Sequence, residues 1–240
     1  MLSTKKMAEE YYISEYFASM QGEGKTPGLR AYFVRFLFCN LRCRWCDTAY
    51  AREAADPEAL QALAAEQIIA KIKNSSHQHI VLTGGEPCLY RLDKLVIPGK
   101  DYQVETNGTI QPDKSIDMRL PDGTFISREA MDIDRCRRLN WIISPKLANA
   151  GFAYDFARLD YWKTYPDVIF KFVVEGSSDI AEVNHIVKKY KLDPLFVYLT
   201  VQGITPAAQQ LPELVEEILK SGYNYSPRLQ VLLWQGERGK

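Results

Sequence analysis

Short apolar runs recur along the chain, each closed by glycine, proline or polar residues. Between several of them lie stretches with apolar residues at helical spacing. The runs predict strands at 11–19, 30–38, 79–83, 102–105, 139–143, 168–174, 195–200 and 228–234. Residues 30–38 are the clearest case, because Tyr32, Val34, Phe36 and Phe38 alternate with Ala31, Phe33, Arg35 and Leu37, so both faces are largely apolar, as in a buried parallel strand. Arg35 is the exception. A charge there is costly unless it meets an internal acid or faces a ligand cavity, and its place four residues before Cys39 favours the cavity. A helix is expected from Asp56, as N-cap with Pro57 at the first helical position, to about Lys73, with Leu60, Leu63, Ala64, Ile68 and Ile72 as its apolar stripe. Further helices are expected near 179–190 and from about 206 to 220. Strands alternating with helices, with polar motifs after strand ends, predict an α/β fold: an open, partial (β/α) barrel with its site at one face.

Residues 111–137 break the rhythm. Charges, Pro112, Pro121 and an Asp122-Gly123 turn make this a polar surface insertion, read as a hairpin and a short helix. Otherwise 240 residues suit one domain, 1–240, burying roughly 70 to 75% of its unfolded surface. The 30 basic and 30 acidic residues leave no net field calling for nucleic acid or an anionic membrane. Residues 1–10 hold no apolar run of signal-peptide length, and no stretch approaches the ~20 apolar residues of a membrane span, so the expected location is the cytoplasm. Five cysteines, three of them clustered, suit a reducing compartment and a metal centre rather than a disulfide framework.

The cluster is Cys39-Asn-Leu-Arg-Cys43-Arg-Trp-Cys46, directly after the 30–38 run. Three thiolates on one loop can hold three irons of a cubane and leave the fourth iron without a protein ligand. The rival is a zinc knuckle, for which Cys88, Cys136, His77, His79 or His185 could each offer a fourth ligand, though none belongs to a second ligand pair. Elsewhere, Gln21 and Glu23 in Met20-Gln-Gly-Glu-Gly24 offer donor and acceptor groups on a backbone that a ligand can approach closely. Gly84-Gly85-Glu86 puts exposed backbone and a carboxylate after a strand end, a receptor for a primary ammonium, and Thr106-Asn-Gly-Thr109 closes the next strand in the same manner.

Taken together, QGEG at 21–24, Arg35, CNLRCRWCDT at 39–48, LTGGEP at 82–87, ETNGT at 105–109, SPK at 144–146 and RLQVLLW at 228–234 resemble the 7-carboxy-7-deazaguanine synthases of the radical S-adenosylmethionine (SAM) superfamily. The resemblance implies conversion of 6-carboxy-5,6,7,8-tetrahydropterin to 7-carboxy-7-deazaguanine and ammonia, on the way to deazapurines such as queuosine. It also implies a [4Fe-4S] cluster on Cys39, Cys43 and Cys46, whose fourth iron takes SAM, and a Mg2+ held by Thr48 that also binds substrate. SAM would lie along Trp45, Cys46 and Asp47, against Gly85, Glu86, Ser144, Pro145, Lys146, Thr200, Val201, Gln202 and Gly203. The pterin would meet Met20, Gln21, Gly22, Glu23, Arg35 and Thr83, with Arg35 as a fork for its carboxylate. No side chain is assigned as the catalyst, since a 5′-deoxyadenosyl radical carries the chemistry. A low-potential donor such as a flavodoxin and a homodimer are further implications.

Three features depart from the family pattern. The 111–137 stretch is long, Val201-Gln202-Gly203 replaces the frequent Pro-Glu-Gly, and Phe38 stands where a glycine is usual before the first cysteine. Two other readings compete: a radical SAM activator of a glycyl-radical enzyme, which would need a large protein partner, and a zinc-stabilised binding module.

Overall fold

The computed structural model describes residues 10–240. The expectation for the start of the chain, residues 1–10, therefore falls, except for Glu10, outside the described residues. In chain order the elements are β1 (Ile13–Met20), β2 (Arg30–Phe36), α1 (Ala65–Asn74), β3 (His79–Gly84), β4 (Asp101–Thr106), β5 (Ile116–Arg119), β6 (Phe125–Arg128), α2 (Ile133–Cys136), β7 (Asn140–Ile143), α3 (Leu159–Trp162), β8 (Ile169–Val174), α4 (Ser177–Tyr190), β9 (Val197–Val201), α5 (Pro206–Gln209), α6 (Pro212–Lys220), β10 (Asn224–Tyr225) and α7 (Leu229–Trp234).

Eight strands form one sheet in the order β1-β2-β3-β4-β7-β8-β9-β10. β1 runs antiparallel to β2, and every later pairing in the sheet is parallel. β1 and β10 remain separate edges, so the barrel is open and partial, as expected.

Period-two alternation sorts each strand's side chains between two environments. One set, including Val34, Phe36, Ile80, Leu82 and Val104, joins the large core with Ile68 and Ile72 of α1, Ile180 and Val183 of α4 and Ile218 of α6. The other set points inside the barrel. There Ala31, Phe33 and Val81 form a small second apolar cluster under Phe17, and the residues two positions on, Arg35 and Thr83, are paired across β2 and β3. The inside of the sheet thus passes from an apolar floor to a polar rim at the C-terminal strand ends.

Four expectations need correction. The helix after Asp56 begins only at Ala65, because Leu63 exchanges both backbone hydrogen bonds with Tyr11 at 2.9 Å; Asp56 instead accepts from the Glu58 N–H at 2.9 Å. The helix expected over 206–220 is two, α5 and α6, since Pro212 lacks an N–H and restricts Leu211 before it. Residues 228–234 form α7, not a strand. The last ladder contact is the Ser226 N–H to the Leu199 carbonyl at 2.8 Å, after which Pro227 cannot donate, and a short apolar run suits either helix or strand. Finally, 111–137 does contain the hairpin β5–β6 and the short α2, but its underside is core: Leu120, Ile126, Met131 and Cys136 are buried. Arg128, 2% exposed, holds this segment by donating to the carbonyls of Gln111, Pro112, Lys114 and Glu129 at 2.8–3.1 Å.

Candidate active site

The polar rim encloses a cavity of about 230 Å³. Its cofactor-side wall is the loop after β2. The chain enters through Phe38 at φ +71°, a left-handed conformation that a Cβ disfavours, which accounts for the glycine usual at this position. Phe38 is held there by burial, by an edge-on contact with Tyr12 and by its carbonyl, which accepts from the Glu86 N–H at 2.8 Å. Such close passage explains the two glycines after β3: a Cβ on Gly85 would lie 2.0 Å from the Phe38 oxygen, and one on Gly84 2.2 Å from the Phe36 oxygen. Beyond Phe38 the loop is pinned by Asn40 to Thr109 and Asn107 at 2.8 and 2.9 Å, and by the Trp45 indole to Asn149 at 3.0 Å.

Cys39, Cys43 and Cys46 all line the cavity, as does Thr48, whose hydroxyl lies 3.8 Å from the Cys46 sulfur. Burial, with Glu86 nearby, pushes the Cys39 thiol up to about 12, and burial raises Cys43 as well. Among the described residues, no group of three or more His, Cys, Asp or Glu side chains converges to hold a metal ion. Three thiols lining one cavity can take three corners of a cubane. Lys146 faces the same wall, over the Trp45 ring at 5.5 Å and donating to Ser144 at 2.9 Å. Burial pulls its amine below the ordinary range. A buried amine beside the Cys39 and Cys43 sulfurs suits an anionic cluster, whose charge would favour its protonated form. The Leu41 N–H, 3.4 Å from the Cys39 sulfur, adds a donor of the kind that tunes cluster potential.

Met20, Gln21, Gly22, Glu23, Arg35 and Thr83 line the same cavity. Arg35 meets both of its predicted fates: its Nε donates to Glu15 at 2.7 Å while its guanidinium lies over the Phe17 ring at 5.5 Å in the cavity wall. Gln21 donates to Glu105 at 2.8 Å, and the Thr83 hydroxyl donates to the other Glu105 oxygen at 3.0 Å. Glu23 accepts from Lys171 at 2.5 Å, Gln230 at 2.6 Å and Arg228 at 3.1 Å. Burial would raise the Glu23 carboxyl, but Lys171 and Arg228 overcome that and hold it well below its ordinary range.

Of the remaining predicted residues, Trp45, Asp47, Gly85, Ser144, Lys146, Thr200 and Gln202 line the cavity; Pro145, Val201 and Gly203 do not. The Thr200 hydroxyl is buried without a partner among the described residues. Glu86 is turned away. Fully buried, its carboxylate accepts from Thr106 Oγ1 at 2.6 Å and from the Cys88 and Asn107 N–H groups at 2.8 Å, joining the GGE turn to the TNG turn.

Sequence reasoning missed Glu105, Asn107, Lys171, Arg228 and Gln230 as cavity residues. Lys171 had a legible signal, a lone charge inside the apolar strand IFKFVV, the same logic that singled out Arg35. Arg228 and Gln230 carried only the family-like RLQVLLW motif, and reading that segment as a strand hid their place in the cavity.

With this geometry in hand, three comparisons bear on identity. The profile of the Radical SAM superfamily matches residues 33–140. The chain is 32% identical over 237 residues to the 7-carboxy-7-deazaguanine synthase of Pyrobaculum aerophilum, covering 95% of this chain and 96% of that one. It is 31% identical to the 7-carboxy-7-deazaguanine synthase of Rhodopirellula baltica, covering 95% and 88%. In fold it resembles the crystal structure of QueE from Escherichia coli, with a TM-score of 0.66 at 23% identity over 90% of this chain and 93% of that one. Neither the glycyl-radical activator nor the zinc module is favoured by these relatives.

Proposed function

Because the chain belongs to the 7-carboxy-7-deazaguanine synthase family, we propose that it converts 6-carboxy-5,6,7,8-tetrahydropterin to 7-carboxy-7-deazaguanine and ammonia. The observation that carries this reading is a single cavity lined both by Cys39, Cys43 and Cys46 and by Met20–Glu23, Arg35 and Thr83. A [4Fe-4S] cluster held by Cys39, Cys43 and Cys46, together with SAM, would supply the radical chemistry for hydrogen abstraction from the pterin.

The chain's own residues bind, orient and exclude water. Cys39, Cys43 and Cys46 are the cluster ligands, with Lys146 compensating their charge. Trp45, Cys46, Asp47, Gly85, Ser144, Thr200 and Gln202 form the SAM wall, with Pro145, Val201 and Gly203 as their chain neighbours outside the lining. Glu86 braces this wall without facing the cavity, its N–H being committed to the Phe38 carbonyl and its carboxylate to Thr106, Cys88 and Asn107. Arg35 receives the pterin carboxylate, because among the described residues its two Nη groups donate to no protein acceptor while Glu15 holds its Nε. Thr48 supplies one oxygen to a Mg2+ completed by substrate and water, a reasonable set for a hard cation.

As a whole, the proposed protein is a single 1–240 domain working in the cytoplasm as a homodimer, reduced by a flavodoxin-like donor. The cysteine usage supports a reducing compartment, and no helix among the described residues is long and apolar enough to cross a membrane. The test is an anaerobic assay of iron-reconstituted protein with dithionite, SAM, Mg2+ and the carboxytetrahydropterin, read by mass spectrometry. The deazaguanine acid is the expected product; 5′-deoxyadenosine with untouched pterin would reject the substrate and keep the radical chemistry.

A further inference from the structure

Four segments far apart in sequence meet at the Arg228 guanidinium. Its Nε donates to Glu23 Oε1 at 3.1 Å, its Nη1 to the Gly203 carbonyl at 2.5 Å, and its Nη2 to Asp47 Oδ2. The side chain is 9% exposed, so these are desolvated contacts of a planar fork, which lysine's point charge cannot reproduce. The partners differ in what else holds them. Glu23 keeps Lys171 and Gln230, and the Gly203 carbonyl keeps Gln209 Nε2 at 2.9 Å. Asp47 has nothing else: among the described residues no other hydrogen bond or ion pair reaches its carboxylate, which is 41% exposed.

We propose that Arg228 is a positioning residue that fixes the cysteine loop, through Asp47, against the already rigid Glu23 loop, and so sets the spacing between the two halves of the cavity. This rests on the functional reading above for what each half binds. The asymmetry of partners makes the inference specific. Loss of Arg228 frees the cofactor side, where Asp47 sits next to Cys46, while Lys171 and Gln230 retain the substrate side.

The first measurement needs no cofactor. Hydrogen exchange by mass spectrometry on the apo chain should show peptides over 43–48 exchanging about tenfold faster in Arg228→Met, with peptides over 20–24 little changed. In the reconstituted enzyme the KM for SAM should rise about tenfold, with the pterin KM within about twofold, and 5′-deoxyadenosine should be released without product. Arg228→Lys, which preserves charge and bulk, should show the same asymmetry at smaller amplitude. Equal loosening of both loops, unchanged exchange, or matched rises in the two KM values would overturn the proposal. So would failure of both variants to melt cooperatively, since Arg228 would then belong to the fold at large. A parent enzyme that makes no deazaguanine would sink the functional reading and leave the exchange comparison standing.

Discussion

The two walls of the cavity are built on opposite electrostatic principles. On the substrate side the charged groups are already partnered: Glu23 is ion-paired with Lys171 and Arg228, Arg35 with Glu15, and Glu105 accepts hydrogen bonds from Gln21 and Thr83. On the cofactor side Asp47 meets Arg228, but burial pushes Cys39 and Cys43 toward the neutral thiol and Lys146 toward the neutral amine, and Lys146 makes no ion pair among the described residues. One wall is finished by the protein alone; the other is finished by what binds to it. Preorganised partners position a polar ligand without rearrangement, whereas a metal that deprotonates its ligands gains those partners only on loading.

Breaking the cofactor wall has the largest effect. Cys43→Ala should lose the cluster and with it all detectable product, while the thermal midpoint of the apo protein changes little, because Cys43 is only half-buried; iron analysis and calorimetry check both. Next comes the joint between the walls. In Gly85→Ala the new Cβ meets the Phe38 backbone oxygen, so the protein should lose about 3 kcal/mol in chemical denaturation and load iron poorly.

On the substrate wall, Glu23→Gln should cost roughly 3 kcal/mol at neutral pH by leaving Lys171 and Arg228 short of a counter-charge. The pH dependence sharpens the contrast. The folded Glu23 pKa lies below its unfolded value, so its contribution is full above the ordinary carboxylate range of about 4 and fades as the pH falls through that range toward the folded pKa. Parent and variant stability curves should therefore converge on acidification; a gap constant with pH would contradict the pairing. The smallest effect belongs to the rim, where Arg44→Ala removes an exposed pair with Glu175 and should shift stability by less than about 0.5 kcal/mol.

The difference between the walls also governs what the sequence reveals. Strand and turn order was legible because apolar runs and the glycines that follow them are local signals. The cysteine loop was legible for the same reason, its three thiols lying within eight residues. The substrate wall was legible only in part. Arg35 stood out as a charge in an apolar strand, but the partners that make Glu23 a rigid anchor, Lys171 and Arg228, lie 148 and 205 residues away. Arg228 was further hidden because a short apolar run fits helix and strand alike, and Pro227 decides between them only once the ladder to β9 is known. Glu86 teaches the converse. Its position after a strand end suggested an exposed receptor, yet the turn that follows folds the carboxylate inward onto Thr106.

The span of the Arg228 contacts has a consequence for biosynthesis. Asp47 is separated from the arginine that holds it by 181 residues. At typical elongation rates of about 5 to 20 residues per second, the cysteine loop leaves the ribosome on the order of 10 to 40 s before its clamp is made. During that interval three thiols stand on a nascent chain with no closed cavity around them, open to oxidants and to stray soft metals. Cluster insertion into a finished site is therefore a post-translational event, and the yield of active enzyme depends on how the cell shields the loop until then.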